Sequence, residues 1–131
     1  AESGLGEQVQ CSGVMEQAKA LAEVQRHWVF VQHSVTSKSG DQEGFALSPA
    51  EAALMEMPVV STMHNGIPEH VIDGETGYLV NEFDYETMAE RMIELAANSD
   101  LRTEMGEAGR ANVLGLCNPG ERFEALLKLF A

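Results

Sequence analysis

Apolar and polar positions follow two rhythms along this chain. Residues 28–32, Trp-Val-Phe-Val-Gln, are a nearly unbroken apolar run between polar segments, the pattern of a strand covered on both faces. Residues 58–62, Pro-Val-Val-Ser-Thr, repeat it, and residues 78–80 predict a shorter strand. Residues 8–13 read as a further short strand ending at Gly13. Elsewhere the spacing turns helical. Ala18, Leu21 and Ala22 share one face of a helix over residues 15–24, and residues 48–56 predict a helix stopped ahead of Pro58. Asp84 caps a helix with Met88, Met92, Leu95 and Ala96 on one face. Ser99 caps another with Leu101, Met105 and Ala108 inward. Gly106 and Gly109 should each weaken that helix by about 1 kcal/mol relative to Ala. Asn118-Pro119-Gly120-Glu121 is a capping box that launches a last helix over about residues 118–130, with Phe123, Leu126, Leu127 and Phe130 on one face. Residues 33–42 are polar and read as a loop, and residues 63–77 as turns with one helical turn near Glu69.

Strands alternating with helices imply an α/β class: a four-stranded parallel, Rossmann-like sheet with flanking helices. At 131 residues the chain is long enough for one domain, residues 1–131, with its own core. Its 44% apolar content is that of an ordered globular chain. No apolar run reaches the roughly 18 residues that a membrane-spanning helix needs, and no basic stretch followed by an apolar one opens the sequence as a secretory leader would. The chain starts at Ala1 without Met, as a processed or excised piece would.

Net charge is −13, from 21 acidic and 8 basic residues. Nucleic-acid binding needs clustered Lys and Arg, so it is disfavoured. Cys11 and Cys117 are far apart and neither belongs to a CxxC or a zinc-type spacing. Two free, mostly buried thiols of a cytoplasmic protein are expected.

The stretch with most chemistry is Glu43-Gly44-Phe45-Ala46-Leu47-Ser48-Pro49-Ala50-Glu51. Two carboxylates bracket a Gly-Phe turn that runs into a helix start, between two buried strands. A helix N-terminus at the carboxyl edge of a parallel sheet is an anion site, on the edge where open α/β sheets bind ligands. Carboxylates there can accept hydrogen bonds from sugar or ribose hydroxyls.

Glu43-Gly44-Phe45, Glu51-Ala52, Pro58-Val59-Val60-Ser61-Thr62, Asn65-Gly66-Ile67-Pro68-Glu69 and the run from Val71 to Val80 follow in an order and at gaps that resemble the donor-binding, C-terminal domain of GT-B retaining glycosyltransferases of family four. The resemblance extends from about Val9 to the end of the chain. It implies the later two-thirds of that domain, a partial GT-B C-terminal domain without the N-terminal acceptor domain. The implied donor is a UDP- or GDP-sugar, with no metal or other cofactor. The implied acceptor, a saccharide or a lipid-linked one, would be held by the N-terminal domain. The implied location is cytoplasmic, at most membrane-peripheral in the full-length protein. The loop ending Gly40-Asp41-Gln42-Glu43-Gly44 is similar to that of transferases of bacterial surface-polysaccharide synthesis.

By this resemblance Glu43 is the catalytic carboxylate, bonding sugar hydroxyls and supporting positive charge at the anomeric carbon. Gly44, Phe45, Ala46 and Leu47 offer backbone N–H groups to the diphosphate, although Phe45 also suits a core aromatic. Glu51 holds the ribose hydroxyls, or else closes a capping box on Ser48. Gly13 and Val14 border the base, or simply end a strand. Gly66 lines the cleft, with Pro68 and Glu69 starting a helical turn. Family members neutralise the leaving diphosphate with an Arg and a Lys located ahead of the position of Gly13. No counterpart stands in this sequence, so the chain alone is expected not to transfer sugar. His33 replaces a usual Pro. Glu56 replaces a small residue, often Gly, so strain or fraying is expected there. The rival reading is a non-catalytic nucleotide-binding or interaction module. A dinucleotide oxidoreductase is excluded because no GxGxxG follows a strand.

Overall fold

The computed structural model describes residues 5–42, 44 and 46–120. Three parallel strands, β1 (Phe30–Gln32), β2 (Val59–Thr62) and β3 (Gly77–Val80), pair in the order β1-β2-β3. The helices are α1 (Gln17–Val24), α2 (Leu47–Leu54), α3 (Tyr85–Ala97) and α4 (Ser99–Leu116), with a 3-10 turn at Ile67–Glu69. The predicted α/β order therefore stands.

β2 is central and buried at every position. Its side chains alternate between the two faces of the sheet. Val59 packs with Ala46, Ala52, Met57, Ile67 and Val71, whereas Val60 packs with Tyr78, Val80, Met88, Leu95 and Met105. Ala50, Ala53 and Val113 join α2 to α4.

Residues 8–13 are not a strand: Leu5 O accepts from the N–H groups of Gln8 and Val9, and the residues that follow are exposed. A strand needs a neighbour for its backbone donors and acceptors, and the described sheet has three strands rather than four. Cys11 is exposed as a result, and Cys117, at the C-cap of α4, is exposed too. The expectation of buried thiols fails on both counts.

Helix starts also shift. Asn98, not Ser99, caps α4, accepting from Leu101 N at 3.1 Å. Asp84 caps α3 as expected, accepting from Thr87 N at 3.1 Å. Asn118 Oδ1 accepts from Gly120 N at 3.1 Å, while the rest of the expected last helix lies outside the described residues.

Glu56 ends α2 with φ of 59°, the left-handed geometry in which a Cβ is disfavoured. The strain expected at this position is present. Arg110 compensates: its Nη1 donates to Leu54 O at 2.9 Å, and its Nε lies 3.8 Å from Glu56 Oε1.

His70 is fully buried. Burial pushes its imidazole below the ordinary value, outweighing the opposing pull of Glu69 and of a backbone hydrogen bond with Gly66. The unfolded chain then binds a proton that the folded chain resists, so stability falls as pH drops below about 6.5. A melting temperature that declines from pH 7 toward pH 5, with the decline reduced in His70→Gln, is the expected result.

Candidate functional site

A groove of about 450 Å³ opens between α1 and α2 beside β1. Gln17 and Leu21 form one wall, Leu47, Ser48 and Glu51 the other, and Phe30 and Gln32 the floor. α2 begins at Leu47 with Ala46 as N-cap and no side-chain cap bond. Ser48 is therefore inside the helix, and the alternative Ser48–Glu51 capping box does not form. Glu51 Oε1 instead takes a long 3.4 Å contact from Gln17 Nε2 across the groove. Pro49 has no N–H, so Leu47 and Ser48 carry the N–H groups that the first turn of α2 leaves over from its own ladder. The positive end of the helix dipole adds to them.

The other expected site residues fall in different places. Gly44 is exposed just ahead of α2, and Ala46 is buried in the core. Gly13, with φ of 66°, and Val14 are exposed and do not line the groove. Gly66 is buried at the start of the 3-10 turn after β2. Glu43 and Phe45 lie outside the described residues. Groove and helix mouth thus bring together Leu47 and Glu51, with Gly44 close in sequence, and leave Gly13, Val14 and Gly66 apart.

Sequence reasoning missed a second cluster at the carboxyl edge of the sheet. Glu82, after β3, accepts from Thr36 N (2.9 Å) and Thr36 Oγ1 (3.1 Å), after β1, and sits 2.7 Å from His64 Nδ1, after β2. His64 and Thr36 hold the Glu82 carboxyl below its usual range. His33 Nε2 accepts from Phe83 N at 3.0 Å, and its ring meets Tyr85 edge-on at 4.7 Å. With Nε2 accepting, neutral His33 carries its proton on Nδ1. The signal was available: polar residues that directly follow parallel strands meet at one edge. Among the described residues no three His, Cys, Asp or Glu side chains gather as metal ligands would, and no helix is long and apolar enough to cross a membrane.

The family model described as glycosyl transferases group 1 matches residues 1–112. The chain belongs to the glycosyl transferases group 1 family. It is similar to the putative colanic acid biosynthesis glycosyltransferase WcaL of Escherichia coli, with 46% identity over 76 residues, 58% of this chain and 18% of that protein. It is also similar to the capsular polysaccharide biosynthesis glycosyltransferase CapM of Staphylococcus aureus, 36% identical over 72 residues, 55% of this chain and 19% of that protein. Among solved structures, sucrose-phosphate synthase of Thermosynechococcus elongatus superposes with a TM-score of 0.77 at 26% identity, over 97% of this chain and 30% of that one. A mutant of S. aureus TarM, in complex with Fondaparinux, alpha-GlcNAc-glycerol and UDP, gives a TM-score of 0.76 at 25% identity, over 97% of this chain and 24% of that one. The chain thus spans about a fifth of the curated relatives it matches, and its sheet and helices are part of a GT-B Rossmann-like domain.

Proposed function

We propose that this group 1 chain is the nucleotide-sugar-binding part of a retaining, metal-independent glycosyltransferase. The longer protein would move a hexose from a UDP- or GDP-sugar to a saccharide or lipid-linked acceptor, in cytoplasmic steps of surface-polysaccharide synthesis. The observation that carries the reading is the Glu51 carboxylate on the wall of a groove at the N-terminus of α2. In this reading the ribose hydroxyls donate to Glu51. The diphosphate accepts from the N–H groups at the start of α2. Glu43 stands by the sugar, where a carboxylate stabilises oxocarbenium character. The names of the curated relatives support the pathway class, and the UDP in the TarM complex supports the donor class.

Glu51→Ala tests this in the full-length protein. Nucleotide affinity should fall by about 1.5–3 kcal/mol, the range for hydrogen bonds to a charged group. The melting temperature without ligand should stay nearly unchanged, because Glu51 closes no cap. Calorimetric titration with UDP and GDP reads the first and thermal melting the second. Unchanged affinity for both nucleotides would remove Glu51 from the site.

A further inference from the structure

We propose that Glu82 is a positioning residue for sugar transfer, locking the segment after β1, which leads into Glu43 and α2, onto the ends of β2 and β3. The inference rests on the donor-binding reading above and adds residues that reading does not use.

The segment leaves the sheet in stages. Its first residues are tied to β2 directly: Ser61 Oγ donates to Gln32 O at 2.8 Å, and Thr62 Oγ1 donates to Ser34 O at 2.6 Å. Beyond Ser34 the sheet no longer holds it, and Glu82 takes over. One carboxylate oxygen accepts from Thr36 N and the other from Thr36 Oγ1. The Thr36 hydroxyl, having donated its proton, accepts from Gln42 Nε2 at 3.3 Å. Between these two residues the loop closes on itself, with Gly40 N donating to Ser37 O at 2.9 Å and Ser37 N to Asp41 O at 3.1 Å. Residues 37–41 thus form one closed hydrogen-bonded turn, and Gln42, the residue before Glu43, is tied through Thr36 to Glu82.

Glu82 is itself held. His64, with its side chain only 1% exposed, places Nδ1 2.7 Å from Glu82 Oε1. A charge-assisted bond to a buried ring leaves the carboxylate little freedom. The next residue, Phe83, has φ of 67°, costly for a residue with a Cβ, and such strain persists only where surroundings enforce it. His33 Nε2 accepts the Phe83 N–H, a second link between the same two loops. In the donor-binding reading, a small displacement of the segment that leads into Glu43 is enough to cost catalysis dearly.

The test uses the full-length enzyme with Glu82→Gln and Thr36→Val. Glu82→Gln removes the charge at nearly constant size, and Thr36→Val removes both hydroxyl bonds while leaving the backbone one. For each, kcat should fall by about tenfold or more, since misplacement by a full ångström can cost about a hundredfold. UDP or GDP affinity should stay within about threefold, because the groove is built by α1, α2 and β1, none of which contains Glu82 or Thr36. Amide hydrogen exchange at residues 36–42 should accelerate, with amides away from this segment and from Glu82 unchanged. The double variant should lose little more than the worse single one, because both act through one path. A kcat within about twofold of the parent in both variants would overturn the proposal. So would a loss that follows global melting with no exchange change confined to residues 36–42. Failure of the parent enzyme to bind either nucleotide would instead sink the donor-binding reading; exchange would still decide whether Glu82 holds this segment, and an unchanged rate there would overturn it.

Discussion

Glu43→Gln in the full-length enzyme is expected to lower kcat by about 10²–10³ while leaving KM close to the parent value, the cost of removing one preorganised electrostatic partner of a transition state. The carboxylate and the amide have the same shape and can both accept from sugar hydroxyls in the ground state. In the proposed reading, only the carboxylate carries the charge that opposes the positive charge building at the anomeric carbon. An interaction that strengthens in the transition state shows in kcat, and one shared with the ground state shows in KM. Steady-state kinetics with a saturating acceptor separate the two. A Gln variant with near-parent kcat would reduce Glu43 to an acid placed favourably near a helix start.

Gly106→Ala is the second large effect, and it runs against helix propensity. In isolation the change should stabilise α4 by about 1 kcal/mol. Here a Cβ at position 106 would overlap the carbonyl of Glu56. The clash is with backbone, and with backbone already in a left-handed conformation, so it cannot be relieved by a rotamer change. Overpacking of this kind costs about 1–3 kcal/mol, sometimes more. After the propensity gain is subtracted, a net loss of about 1–2 kcal/mol is expected, or several degrees in melting temperature. Gly109→Ala is the control: its Cβ would lie 3.4 Å from Thr76 O and 3.6 Å from Ala53 Cβ, ordinary contact without overlap, so the helix-propensity gain of about 1 kcal/mol should be realised and melting should hold or rise. Equal melting of Gly106→Ala and the parent would show that α4 is free to move away from α2.

These two glycines show how a local rule and a tertiary one diverge. By propensity they are weak points of a helix. In the fold Gly106 lets α4 approach the end of α2, where Arg110 reaches the Leu54 carbonyl. The same divergence moved the start of α2. Ser48 and Glu51 have the spacing of a capping box, but the chain enters the helix at Leu47 with Ala46 buried beneath the sheet. Ala46 is buried at the N-cap position, no side chain closes the first turn, and Glu51 is left lining the groove.

The sequence by itself determined the order of the elements from β1 onward, their parallel pairing class and the family. Those features rest on short-range patterns: apolar runs for strands, 3.6-residue spacing for helices, and a series of motifs at set gaps. It also marked Glu56 as a helix end that would strain or fray, because a Cβ in the left-handed region is disfavoured wherever it occurs, and the fold keeps the strain. Tertiary structure alone decided which strands found partners. Residues 8–13 carry strand-forming residues and no described neighbour to pair with. It alone brought Glu82 to Thr36 and His64, 46 and 18 residues away in sequence. Hydrogen bonds over such separations leave no periodic trace in the chain. They exist because three parallel strands end at one edge and the polar residues that follow must satisfy one another there.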